Sequence, residues 1–153
     1  MSLQIGLLIF PKLTQLDLTG PVQVFSSVPG AKLHLVWKRI EPVPSDSVLT
    51  LTPTTTFADC PPCDVICVPG GAGTDDMVND EEVLAFLRQQ AANAKYITSV
   101  CTGSLVLGAA GHADHVAGRT IGKGCCRRQR QHGIAWNRLD ALPDQMQLRA
   151  GHA

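Results

Sequence analysis

Tyr96-Ile-Thr-Ser-Val-Cys-Thr-Gly-Ser-Leu-Val-Leu-Gly-Ala-Ala-Gly111 is the stretch that decides the fold class. A short β-branched run ends at Cys101, a tight Thr-Gly-Ser step follows, and small apolar residues continue with helical composition to Gly111. Strand, turn and helix in that order put one side chain at the carboxyl end of a parallel sheet, and here it is Cys101. Its sulfur should lie near unsatisfied backbone N–H groups and a positive helix end, both of which lower a thiol pKa and make a nucleophile. Ser99-Val-Cys-Thr-Gly103 keeps the glycine after the nucleophile but not the full G-x-S-x-G elbow. A free cysteine packed as a small hydrophobe is the competing reading.

Upstream, the buried-strand run Asp64-Val-Ile-Cys-Val68 breaks at once into Pro69-Gly-Gly-Ala-Gly73. No Lys-Ser/Thr follows, so this is no Walker loop, and the last glycine of a Rossmann fingerprint is missing. It reads either as an ordinary tight turn or as an anion pocket shared with the Thr102 amide. Glu81 to Ala94 has one broad apolar face, with Asp80 placed to start a helix. Gln4 to Phe10, nearly all apolar and closed by Pro11, reads as a central strand buried on both faces. The spacing from Leu16 to Val28 predicts a helix starting near Thr19 or Gly20, with Asp17 or Thr19 as cap and Pro21 in its first turn. Asp17, between two leucines just after the first strand, is either that cap or a dehydrated carboxyl that holds a proton and serves as general acid. Lys32 to Lys38 and Val48 to Leu51 read as shorter or edge strands.

The chain has 153 residues, enough for one domain with an ordinary core, and at 44% hydrophobic and 17% charged it should fold. Formal net charge is zero, which gives no reason to expect nucleic acid or an anionic membrane as partner. The apolar run Ile5 to Phe10 is far too short to span a bilayer and no basic region precedes it, so a cytoplasmic protein is expected. Its six cysteines should then be thiols. Cys60-Pro-Pro-Cys63 with Cys67 has redox spacing, but a reactive C-x-x-C normally opens a helix and this one precedes a strand. Cys125, Cys126 and His132 make a poor second half for zinc, so no metal is expected. Arg127, Arg128 and Arg130 read as a solvated basic face. Residues 1–111 carry six basic and ten acidic side chains, whereas 112–153 carry seven and three. With that change apolar periodicity fades. The expectation is therefore an α/β domain over 1–111 and a divergent tail over 112–153, frame-shifted or disordered, with the C-terminal part of the fold missing or altered.

Asp17-Leu-Thr-Gly-Pro21, Phe57-Ala-Asp-Cys-Pro61, Asp64 to Gly71 and Ser99 to Gly111, in that order, resemble the DJ-1/PfpI superfamily. The resemblance covers about Gln4 to Gly111 and implies a flavodoxin-like three-layer α/β sandwich of the class I glutamine amidotransferase type, usually a homodimer. It makes Cys101 the nucleophile and Asp17 the carboxylate facing it. It makes Gly71 and Gly70 substrate or amide-donor positions and Thr102 a further amide donor, with the Thr102 hydroxyl assisting proton transfer. The implied reaction is hydration of a small isocyanide to an N-formamide without metal or organic cofactor. Glyoxalase or deglycase-like chemistry, a regulator's sensory domain and an inactive remnant are the competing readings.

Overall fold

A computed structural model describes residues 2–112 and 134–135. A six-stranded sheet has the order β5-β2-β1-β6-β7-β8, built from β1 (Gln4–Leu8), β2 (Lys32–Trp37), β5 (Thr55–Thr56), β6 (Val65–Val68), β7 (Tyr96–Val100) and β8 (Ile134–Ala135). All pairings are parallel except β7 with β8. The core of the sheet lies where the apolar runs predicted it: Ile5, Leu7, Ile9, Phe10 and Val68 are fully buried. Burying a side chain of this size stabilises by about 1.5–3 kcal/mol, which is why continuous apolar runs take the central positions.

Two helices determine where a ligand can enter. The chain leaves β1 through α1 (Gln15–Ser26) and returns on one side as β2; it leaves β6 through α3 (Glu81–Ala91) and returns on the other as β7. Right-handed crossovers in opposite directions put α1 and α3 on opposite faces of the sheet. Between β1 and β6 the strand order reverses, and the carboxyl ends of the strands at such a switch point are where folds of this kind bind ligands. This is the flavodoxin-like sandwich that the family resemblance implied. Helix α3 starts at Asp80, whose side chain accepts from Val83 N at 3.3 Å, and buries Val83, Leu84, Phe86 and Leu87. Among the described residues no helix is long and apolar enough to cross a membrane.

Several expectations need correction. Helix α1 begins four residues before Thr19, after the extended Thr14, and so places Asp17 in its first turn and Pro21 in its interior. Burial of Leu18, Pro21 and Phe25 outweighs the N–H that Pro21 lacks. Of Val48 to Leu51, only Thr50–Leu51 is strand (β4); it pairs antiparallel with Val43–Pro44 (β3) in a separate hairpin, and Val48 is 98% exposed. A short helix α2 (Thr74–Met77) follows the glycine loop, where none was expected. Helix α4 spans Gly103–Leu107 and widens into a π-type turn over Gly108–His112. After Gly111 no strand was expected, yet Ile134–Ala135 pairs with Val100 and Ser99 of β7. The expectations for Cys125, Cys126, Arg127, Arg128, Arg130, His132 and the remaining tail lie outside the described residues.

Candidate active site

Three segments meet at the carboxyl end of the sheet: 9–14 after β1, 69–73 after β6, and 101–102 after β7. They are joined backbone to backbone. Thr14 N donates to Gly70 O at 2.8 Å, and Gly73 N donates to Lys12 O at 3.2 Å. Contacts this close require glycine. A Cβ on Gly73 would lie 1.9 Å from Pro11 O, and one on Gly103 would lie 2.2 Å from Val68 O. Gly71 has in addition a φ of 132°, a conformation that side chains disfavour.

Cys101 leaves β7 with a φ of 51°, in the left-handed region, as expected of a side chain turned sharply out of a strand. Such a conformation costs on the order of 1–3 kcal/mol in a non-glycine residue and persists only where its surroundings hold it. Here Ser104 Oγ donates to Cys101 O at 3.3 Å, and Leu105 N donates to Thr102 O at 2.9 Å. The elbow predicted from the strand-turn-helix order is therefore present, and its cysteine is partly exposed.

Gly70 shows how the predicted residues come together. The position of a Cβ there lies 2.7 Å from Thr102 N, 2.8 Å from Thr102 Oγ1 and 2.9 Å from Asp17 Oδ2. One bare Cα thus seats a buried carboxylate from α1 against the amide and hydroxyl that follow Cys101. Asp17 is 5% exposed and belongs to the first turn of α1, while the capping position is Thr14. Its charge also reaches Cys67 on β6. Burial in the first place, and the Asp17 charge in addition, push the Cys67 thiol up to about 11, against a hydrogen bond from Thr98 that lowers it. Cys67 is therefore packed as a buried thiol held in its neutral form.

Two expected donors have other partners. Gly71 N–H donates to Thr102 Oγ1 at 3.0 Å, so it faces the threonine and not an incoming ligand. Thr74 Oγ1 lies 2.9 Å from Thr102 Oγ1 and donates its proton to Gly71 O. A hydroxyl has one proton, so the Thr102 proton points to Thr74. While this network stands, Thr102 offers its backbone N–H, which meets no acceptor among the described residues, and its hydroxyl proton is engaged with Thr74. Thr74, 2% exposed, escaped the sequence reading; its only signal was a hydroxyl residue opening a helix directly after the glycine loop. Among the described residues no group of three His, Cys, Asp or Glu side chains is placed to hold a metal ion.

The profile of the DJ-1/PfpI family matches residues 4–121, running past Gly111, where the motifs read from the sequence end. Over 111 residues the chain is 63% identical to an isonitrile hydratase of Pseudomonas putida, which covers 72% of this chain and 49% of that protein. It thus spans about half the length of that curated relative. A THiJ/PfpI family protein from Pseudomonas syringae superposes with a TM-score of 0.71 at 48% identity, over 73% of this chain and 47% of that one. Drosophila melanogaster DJ-1beta superposes at 0.66 over 74% and 62%, and at 24% identity it speaks for the fold alone.

Proposed function

The chain belongs to the DJ-1/PfpI family, and from that premise we propose that it is a cysteine-dependent isocyanide hydratase. The observation that carries the proposal is the junction at Gly70, where Asp17 Oδ2 and the Thr102 amide sit against one Cα beside the left-handed Cys101. The 63% identity to the Pseudomonas putida isonitrile hydratase supplies the substrate class.

In this reading the Cys101 thiolate attacks the terminal carbon of R–N≡C. Negative charge develops on that carbon, and Asp17, having taken the proton that the Cys101 thiol gave up, delivers it there and quenches the charge, leaving the thioimidate R–N=CH–S–Cys101. Water then adds to the imidate carbon, giving up a proton to the Asp17 carboxylate. Asp17 passes that proton to the nitrogen and takes the adduct's hydroxyl proton as the C–S bond breaks, so the N-formamide leaves with the thiolate and the protonated Asp17 restored. Thr102 N–H is free to hold the hydrating water or the oxygen that forms from it. Thr74 acts by fixing the Thr102 hydroxyl through their 2.9 Å contact. A homodimer, which the family resemblance implies, is part of the same reading.

The test is incubation of the purified chain with an alkyl isocyanide, following the formyl proton by NMR. Formamide should appear and should vanish in Cys101→Ser. Consumption of methylglyoxal with no formamide would replace this reading with a glyoxalase-like one.

A further inference from the structure

At the other end of β6, away from the site, Cys60 and Cys63 form a second group of nucleophiles. Their sulfurs are 3.8 Å apart and hydrogen-bonded. Both thiols also point at Pro61 O, from 3.5 and 3.3 Å. The turn that holds them is fixed from several sides. Buried Gln90, reaching across from α3, accepts from Cys63 N at 3.0 Å and donates to Pro61 O at 3.3 Å. Two prolines fix the backbone between the cysteines. Gly6 of β1 leaves the space Cys63 Sγ fills, since a Cβ there would lie 3.0 Å from the sulfur. The pair differs in access: Cys60 is partly exposed and Cys63 is buried.

From this geometry we propose that Cys60 and Cys63 are a dithiol oxidation site for small hydroperoxides, with Cys60 as the attacking sulfur and Cys63 as the resolving one. The position of the motif before a strand had argued against redox chemistry, its redox spacing notwithstanding, because it opens no helix. A helix end, however, is only one way to favour a thiolate, and a second S–H 3.8 Å away, which can turn from Pro61 O to a Cys60 thiolate, is another. That hydrogen bond holds the Cys60 thiol below its ordinary value against the opposing effect of burial. The same bond, burial, and the nearby Cys60 and Asp64 charges push Cys63 up.

The steps balance with the peroxide as oxidant. The Cys60 thiolate attacks the terminal oxygen of R–O–OH, the O–O bond breaks, and the alkoxide leaves and takes a proton, giving Cys60–SOH. The Cys63 sulfur attacks the sulfenic sulfur and loses its proton as hydroxide departs, so water leaves and the disulfide forms. Two thiols are oxidised and one peroxide is reduced. The second step needs a sulfur movement from 3.8 Å to bonding distance within a turn already closed, so resolution should outrun a second oxidation of Cys60. A small hydroperoxide suits a partly exposed sulfur beside two prolines better than a bulky disulfide does.

The experiment treats the reduced full chain with hydrogen peroxide and maps each cysteine by differential alkylation and tandem mass spectrometry. The wild type should lose two hydrogen atoms as a Cys60–Cys63 bridge. Cys63→Ser should instead carry Cys60 on to the sulfinic acid, and Cys60→Ser should slow oxidation of Cys63 at least about tenfold. Oxidised glutathione should form the bridge more slowly than the peroxide. Sulfinic acid at Cys60 in the wild type with no bridge, or undiminished oxidation of Cys63 in Cys60→Ser, overturns the assignment. Faster bridging by oxidised glutathione overturns the oxidant class. None of these outcomes depends on isocyanide turnover.

Discussion

The two ends of the central strands are held together by different means. At the carboxyl end, β1, β6 and β7 hand over to loops that touch through main chain at Gly70, Gly71, Gly73 and Gly103. At the amino end one side chain ties the same strands. Asp64 Oδ2 accepts from Gln4 N at 2.9 Å and Oδ1 takes Lys95 Nζ at 2.9 Å, while Asp64 O accepts from Lys95 N and Tyr96 N. A backbone junction tolerates no added atom, whereas a partly exposed charged junction loses only part of its hold when charge is removed. The site is therefore built where substitution is most restricted.

Gly73→Ala tests that contrast at its strongest point. Its φ of −69° suits any residue, so strain in the dihedral is no issue, and the clash with Pro11 O at 1.9 Å stands alone. Backbone cannot rotate away as a side chain can. A loss of about 3 kcal/mol or more in the denaturation free energy is expected, with any isocyanide turnover lost alongside. Gly20→Ala inside α1 is the control: nothing lies within 4 Å of its added Cβ, and better helix propensity should raise stability by about 0.5–1 kcal/mol. Equal tolerance of both substitutions in urea unfolding would remove the contrast.

Within the carboxyl-end junction, chemistry and stability should separate at Asp17. Asn has nearly the same shape, so Asp17→Asn should leave the thermal midpoint almost unchanged. It carries no acidic proton, and loss of a positioned acid typically costs 10²–10⁴ in rate, so a fall of at least about 100-fold in formamide formation is expected. A variant within about threefold of its parent would take Asp17 out of the mechanism. If midpoint and rate fall together, Asp17 is holding the junction more than working in it.

How far the sequence revealed this arrangement depends on what each residue's signal was. β1 and β6 were readable because strands buried on both faces need unbroken apolar runs, and Cys101 because strand, turn and helix follow one another without a gap. The start of α1 was misplaced because Pro21 looked like a first-turn residue, and only the tertiary burial of Leu18 and Phe25 shows why the helix runs through it. β3, β4 and β5 have two residues each, too few for alternation to register. Gly71 was recognised as special, but the partner of its N–H depends on a threonine 31 residues away, and no local pattern encodes that. Cys60 and Cys63 were seen as a spacing; Gln90 and Gly6, which hold the sulfurs in place, come from other elements.

The smallest expected effect is at the amino end, and pH isolates it. The Gln4 N–H foremost, and then Lys95, hold the Asp64 carboxyl below the usual carboxylate range. A folded-state pKa below the unfolded one means that the contribution is present above the unfolded value of about 3.9 and is lost as pH falls through the folded one. Wild-type urea midpoints should therefore decline below about pH 4 partly through Asp64. Asp64→Asn, with no charge to lose, should start lower at neutral pH and decline less, so the two curves converge on acidification. Lys95 gives the opposite edge: its bond to Asp64 raises its pKa, so that contribution is present below the unfolded value of about 10.4 and fades as pH rises through the folded one. Gly73→Ala should show a deficit that changes with pH as little as its steric cause does. If Asp64→Asn instead runs parallel to the wild type from neutral pH to pH 3, the amino end is held by neutral hydrogen bonds, and the distinction between the two ends narrows to one of geometry.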